Sequence, residues 1–125
     1  MKTTTLTKAE TQVMNILWDI GHSACVSDLL ERYPEPHPAY TTVATFLKIL
    51  EQKGYVERRK GQGKLLYYEP LLSRERYRRQ ALNDVKDSLF GGSAASLVSF
   101  FAQNEQLSDD DINELLDIIR EKRDR

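Results

Sequence analysis

The fold is decided by residues 40–69, which read YTTVATFLKILEQKGYVERRKGQGKLLYYE. Val43, Phe46, Leu47 and Leu50 recur at helical spacing and predict a helix over residues 39–53 that buries this face. Two strand-like runs follow, over residues 55–60 and 64–69. The connection between them, residues 61–63, is Gly-Gln-Gly, whose glycines permit the positive φ of a tight hairpin. The segment therefore predicts a helix followed by a small β-hairpin.

The opposite face of this helix carries Thr41, Thr45 and Lys48, with no acidic residue until Glu51. Hydroxyls can donate or accept hydrogen bonds at base edges, methyl groups can contact thymine methyls, and lysine can reach guanine or phosphate. A plain solvated surface is the alternative interpretation. For Tyr40, packing at the start of the helix and contact with the DNA backbone both stay open. The residues predicted to read bases are Tyr40, Thr41, Thr42, Ala44, Thr45 and Lys48.

Four cations, Arg58, Arg59, Lys60 and Lys64, cluster around the tip of the predicted hairpin. A solvated turn would account for them, but a hairpin tip with this charge is better suited to contacting phosphates. Phosphate contacts set the affinity and register of a protein on DNA, whereas base contacts set its sequence preference.

The residues before this segment predict two shorter helices, over residues 8–19 and 26–33. Thr7 and Glu10 have the spacing of a capping box, and Gly21 suits the end of the first helix. Proline at every second position from Pro34 to Pro38 predicts a stiff extended connector. Three helices followed by a basic hairpin predict a mainly α fold with a small β-hairpin wing, a winged helix-turn-helix DNA-binding domain over residues 1–72.

Residues 73–125 predict three more helices, over residues 74–90 and 94–102 and from Ser108 onward. Gly91 and Gly92 separate the first two, and Ser108 followed by three aspartates is a strong helix start. Their apolar stripes are too narrow to form a sizeable core in one chain, which predicts a helical dimerisation region and a homodimer. The residues predicted to form the dimer interface are Tyr77, Val85, Leu89, Leu97, Val98, Phe101, Ile112, Leu115, Leu116 and Ile119.

Composition excludes several classes of protein. The formal net charge is −1, and residues 1–72 hold nine Lys/Arg against eight Asp/Glu, so the overall charge gives no argument for nucleic acid. Cys25 is the only cysteine, and the two histidines lack the spacing of a metal site, so no intrachain disulfide, metal or cofactor is expected. A polar N-terminus and the absence of a long apolar run predict a soluble cytoplasmic protein without membrane contact. Since no nucleophile–base pairing or phosphate loop is present, we do not expect an enzyme.

Several motifs in fixed order resemble the penicillinase-repressor family, which includes β-lactamase and methicillin-resistance repressors and their copper-responsive relatives. They are residues 6–10 (LTKAE), 14–18 (MNILW), 40–45 (YTTVAT), 50–56 (LEQKGYV), 90–93 (FGGS) and 97–101 (LVSFF), which together extend over nearly the whole chain. The resemblance implies a homodimer that binds a palindromic double-stranded DNA operator and represses transcription.

The sequence departs from the family pattern in two places. Copper-responsive relatives carry a C-x-C motif near the C-terminus, whereas this chain has no cysteine after Cys25, so metal-controlled release is not expected. In β-lactam-responsive relatives, proteolysis at an Asn-Phe bond inactivates the repressor, and the matching dipeptide here is Phe100-Phe101. The resemblance therefore implies a candidate cleavage site at Phe100-Phe101, whose first residue differs from the family's Asn, and a regulatory protease as a partner.

The predicted function is a dimeric repressor whose two reading helices enter successive major grooves about 34 Å apart. The alternative is a winged-helix module that binds proteins without specific DNA binding. The near-neutral charge favours this alternative, and the basic hairpin with its acid-free reading face opposes it.

Overall fold

A computed structural model describes residues 6–125, which divide into two compact units. The first unit ends at Ala81 and the second begins at Leu82. The elements in chain order are α1 (Lys8–Ile20), α2 (Val26–Leu30), α3 (Tyr40–Lys53), β1 (Val56–Lys60), β2 (Leu66–Pro70), α4 (Arg74–Leu89), α5 (Ala94–Asn104) and α6 (Asp109–Arg123). The mainly helical fold with a hairpin after three helices is thus confirmed as a winged helix-turn-helix.

Helix α1 begins at Lys8, as predicted, and ends at Ile20, one residue later than predicted. The Thr7 side chain accepts a hydrogen bond from the Glu10 backbone N–H, and the Glu10 side chain accepts one from the Thr7 backbone N–H, which forms the capping box. Gly21 ends the helix in the left-handed conformation, with φ at 83°.

The core of the first unit lies where the three helices meet the hairpin. Met14, Leu17, Leu29, Leu47 and Leu50 are fully buried there, and Tyr55, Val56 and Tyr68 bring the strands against them. Helix α2 ends at Leu30, whereas the sequence predicts a helix to residue 33. Tyr33 is buried nevertheless, so its apolar ring contributes to the core from outside the helix.

The hairpin pairs antiparallel, with Arg58 opposite Tyr68 and Lys60 opposite Leu66. A bridge between Ala24 and Tyr68 adds a third short segment beside β2. The second strand begins two residues later than expected because the Gly61 N–H donates to the Leu65 carbonyl oxygen at 2.8 Å, which closes a longer loop.

The two glycines of the hairpin loop, Gly61 and Gly63, are required for different structural reasons. Gly63 has a positive φ of 66°, as the hairpin prediction required. Gly61 does not adopt positive φ, but a Cβ atom there would overlap the Tyr67 ring, so close approach of an aromatic side chain explains its identity.

In the second unit, Ser93 and Ser108 cap α5 and α6 through hydrogen bonds that their side chains accept from Ser96 and Asp111. No residue of α4, α5 or α6 is fully enclosed, although each helix carries large apolar side chains. Within residues 6–125, no helix has the length and apolar character needed to cross a membrane.

The first two turns of α4 belong to the first unit. Tyr77 is half-buried, with its ring 5.8 Å from the Trp18 ring and 5.9 Å from the Tyr55 ring. The Trp18 indole N–H donates to the Leu72 carbonyl oxygen, and Arg74 pairs with Asp19 at 2.7 Å. The compact unit therefore extends beyond residue 72, while the assignment of residues 1–72 to DNA binding and 73–125 to dimerisation stays a prediction, as does the part of Tyr77 in a dimer interface.

Candidate nucleic-acid interface

Helix α3 presents two chemically distinct faces. Val43, Leu47 and Leu50 are fully buried, whereas Phe46 is only partly covered at the edge of the core. Of the residues predicted to read bases, Tyr40, Thr41, Thr42, Thr45 and Lys48 are exposed and Ala44 is half-buried. The first turn of α3 carries no acidic side chain. The predicted reading face is therefore open to a partner and free of acidic groups where the helix starts.

The hydroxyl groups on this face differ in their hydrogen bonding. The Thr45 hydroxyl donates to the Thr41 carbonyl oxygen at 2.9 Å, one helical turn earlier. Among residues 6–125, the side-chain hydroxyls of Thr41 and Thr42 have no such hydrogen bond. The hydroxyls of Thr41 and Thr42 can therefore donate or accept a hydrogen bond from a partner, whereas the hydroxyl proton of Thr45 already forms a hydrogen bond within the helix.

The far end of α3 is fixed to α1 by an ion pair. Lys53 Nζ lies 2.7 Å from Glu10 Oε1, and the Glu10 side chain is only 6% exposed. Burial raises the pKa of Glu10, but hydrogen bonds from Lys53 and the Thr7 backbone and the charge of Lys53 outweigh burial, so the net pKa is lowered. The carboxylate therefore stays ionised and holds the end of the reading helix in place.

The four hairpin cations do not form one patch. Because side chains alternate along a strand, Arg58 and Lys60 share one face of the hairpin and Arg59 lies on the other. The face with Arg58 also holds the buried Val56 and Tyr68, so it is the face turned toward the core. Arg58 Nε lies 3.5 Å from Glu51 Oε2, which joins the hairpin to α3.

Arg59 is neutralised by two carboxylates of the hairpin itself. Its guanidinium lies 3.0 Å from Glu57 and 2.9 Å from Glu69. Lys60 and Lys64 form no ion pair within the part of the chain that the structure describes, and both are exposed. The sequence predicts the same role for all four cations, whereas in the structure Arg59 differs from the other three because it pairs with two carboxylates.

Tyr40 lies at the start of α3 and is 53% exposed. The neighbouring Tyr68 has a raised pKa, chiefly because of burial, with Arg58 lowering it and Glu51 and Tyr40 raising it. These four groups therefore interact electrostatically where α3 faces the hairpin. Sequence reasoning missed Glu51, Glu57 and Glu69 as partners of the arginines, although the alternate spacing of Glu57 and Arg59 in β1 was a usable signal.

Comparison with known proteins places this architecture among the penicillinase repressors. The family model described as "Penicillinase repressor" matches residues 6–121. The chain belongs to the penicillinase-repressor family.

Individual members of the family match along almost their entire length. The methicillin resistance regulatory protein MecI of Staphylococcus aureus (strain N315) is 28% identical over 121 residues, which cover 97% of this chain and 98% of that protein. The penicillinase repressor of Bacillus licheniformis is 27% identical over 122 residues, covering 96% of this chain and 93% of that protein. The penicillinase repressor of Staphylococcus aureus is 27% identical over 116 residues, covering 93% of this chain and 91% of that protein.

In this penicillinase-repressor family member, the residues predicted to form a dimer interface in the second unit are largely uncovered. Val85, Leu89, Val98, Phe101, Ile112, Leu115, Leu116 and Ile119 are between 39% and 72% exposed, and Leu97 is half-buried. Phe100 packs against Phe90 with the ring centres 5.6 Å apart but is still 56% exposed. The bond between Phe100 and Phe101 lies in the middle of α5.

Residues 6–125 contain no group of three or more His, Cys, Asp or Glu side chains placed to hold a metal ion. Cys25 is buried as a free thiol. His22 contacts the Ser23 carbonyl oxygen, and His37 lies 3.2 Å from Glu35, so both histidines have local partners in loops.

Proposed function

We propose that this chain is a dimeric transcriptional repressor that reads a palindromic operator through α3. The observation that carries the proposal is the exposed face of α3, which has no acidic side chain in its first turn, beside a hairpin that carries exposed cations and is joined to α3 by the Arg58–Glu51 ion pair. Family membership adds the direction of regulation, because the named relatives are repressors.

The uncovered apolar residues of the second unit support a homodimer. Large exposed apolar stripes are unusual in a soluble monomer and mark an interaction surface. A second copy would offer the same stripes and bury both sets by two-fold symmetry. Two reading helices related by this symmetry require an operator with two inverted half-sites, with centres about 34 Å apart.

Within the hairpin, we assign the phosphate contacts to Arg58, Lys60 and Lys64. Within residues 6–125, Arg58 has a single carboxylate partner, Glu51 at 3.5 Å, which it can exchange for a phosphate. Arg59 would have to leave two carboxylates at 3.0 Å or less and lies on the opposite hairpin face. The wing therefore contributes fewer effective positive charges than its sequence contains.

This assignment is tested by comparing Arg58→Ala with Arg59→Ala as a matched pair. Binding of the purified chain to the duplex upstream of its own gene is measured by fluorescence anisotropy over a range of salt concentrations. We expect Arg58→Ala to weaken binding to all sequences and to reduce the slope of log affinity against log salt by about 1, because one phosphate contact is lost. Arg59→Ala should change the slope much less.

Equal losses of slope in the two variants would contradict the separate roles of the arginines. Absence of binding to any operator-length duplex would contradict the proposed function and favour the protein-interaction module instead. The two results are distinguishable because the first requires measurable binding by the unaltered chain.

The proposal extends to release by proteolysis at Phe100-Phe101. Both side chains are about half exposed, but a bond in mid-helix is reached by a protease only after local opening. Since no residue of α5 is fully buried, opening of this helix disrupts little packing within its own unit.

A further inference from the structure

Thr45 differs from the other threonines of α3 because its hydroxyl proton is already used. The hydroxyl donates to the Thr41 carbonyl oxygen at 2.9 Å, while the side chain stays exposed. A threonine in this state offers a partner its methyl group and an oxygen lone pair, but no proton. To donate to a base, it would first have to give up an existing hydrogen bond.

We propose that Thr45 selects an A·T base pair in the operator, an inference that rests on the proposed function. In the major groove, adenine presents the N6 amino group, which needs an acceptor, and thymine presents the C5 methyl group, which needs an apolar contact. Thr45 supplies both of these and nothing else. Thr45 therefore matches two of the groups that an A·T pair displays in the major groove, the adenine amino group and the thymine methyl group, which lie on either side of the thymine O4 acceptor.

A G·C pair fits Thr45 less well. Each pair presents two acceptors that require a donor, adenine N7 and thymine O4 in one and guanine N7 and O6 in the other, so these acceptors do not distinguish the pairs. Cytosine has an amino group but lacks the methyl group, so it satisfies only half of what Thr45 offers. Lys48, which has only donors, is the residue of this face that suits guanine or phosphate.

The experiment begins by selecting bound sequences from a random duplex pool with the purified full-length chain. In the selected duplex, each thymine is then replaced singly by uracil, which removes only the C5 methyl group. Each adenine is replaced singly by purine, which removes only the N6 amino group. Binding is measured for the unaltered chain and for Thr45→Ser, which lacks the methyl group, and Thr45→Val, which lacks the hydroxyl.

For the unaltered chain, a single uracil in place of one particular thymine, in either half-site, should weaken binding about fourfold, because the contribution of one buried methyl group is lost. Purine at the paired adenine should weaken binding about fivefold, the value of one neutral hydrogen bond. Thr45→Ser should lose the sensitivity to uracil and keep that to purine. Thr45→Val should show the reverse pattern.

Thr11→Ser provides the matched control, because the Thr11 hydroxyl donates to the Thr7 carbonyl oxygen at 2.9 Å in the same way but on α1. It should respond to both replacements as the unaltered chain does. If Thr45→Ser keeps the full sensitivity to uracil, or if no A·T pair depends on Thr45, the inference is wrong while specific binding stands. If the pool yields no preferred sequence, the proposed function itself is contradicted.

Discussion

Replacing Glu10 by glutamine tests how firmly the reading helix is anchored. The change keeps the shape of the side chain and an oxygen that can accept the Thr7 N–H, but it removes the charge opposite Lys53. The pair is short, at 2.7 Å, and the side chains are 6% and 22% exposed for Glu10 and Lys53. A charge-assisted hydrogen bond contributes about 1.5–3 kcal/mol, and because the Lys53 ammonium keeps some water, we expect a loss of about 2 kcal/mol.

For a unit of this size, each kcal/mol corresponds to about 4–8 °C in Tm, so Glu10→Gln should lower Tm by about 8–16 °C at neutral pH. The loss should also depend on pH. The folded-state pKa of Glu10 lies below its ordinary value of 4.5, so the stabilisation is complete above that value. It is lost as pH falls through the lowered pKa, because glutamic acid is then protonated in both states.

Thermal and urea unfolding from pH 7 down to pH 3.5, both monitored by circular dichroism, provide the measurement. Glu31→Gln is the control, since Glu31 is exposed and has no ion pair within residues 6–125. The free energies of unfolding of the unaltered chain and Glu10→Gln should converge as the solution is acidified. A Tm for Glu10→Gln equal to that of the unaltered chain at pH 7, or a gap that stays constant to pH 3.5, would refute the reasoning.

Two further predictions concern the boundary between the units and the second unit itself. A chain ending at Ala81 should have a free energy of unfolding about 2 kcal/mol higher than a chain ending at Leu72, and therefore a higher melting temperature, because it retains two aromatic contacts of Tyr77 that contribute about 0.5–1.5 kcal/mol each. Equal melting temperatures would show that the start of α4 contributes nothing to stability. Leu116→Asp should shift the full chain from dimer to monomer in analytical ultracentrifugation, whereas the control Glu114→Gln, two positions earlier on α6, should leave the dimer intact. A dimer that persists in Leu116→Asp would exclude the apolar stripe of α6 from the interface.

Local signals in the sequence predicted the elements well. The Thr7 and Glu10 pair fixed the start of α1, and Gly21 marked its end, because both depend on hydrogen bonds within a few residues. The periodicity of Val43, Leu47 and Leu50 predicted which face of α3 is buried. The faces of a helix follow from its geometry alone, so no knowledge of the partner elements was needed.

The charge distribution of the candidate interface could not be predicted in the same way. Whether Arg59 meets Glu69 depends on the register of the hairpin, and a shift of one residue would place the two side chains on opposite faces. The bond between Arg58 and Glu51 depends on how the hairpin packs on α3. Likewise, nothing local indicates that Lys53 pairs with Glu10, which lies 43 positions earlier in the chain.

The position of Trp18 provides an internal optical probe. It is the only tryptophan of the chain, and its indole contacts the Leu72 carbonyl oxygen, the Tyr77 ring and the Arg74 guanidinium. Each of these partners lies at or just before the start of α4. Release of the start of α4 from α1 would expose the indole to water and change its fluorescence. The intrinsic fluorescence of Trp18 therefore measures whether the start of α4 is packed on α1, without an added label.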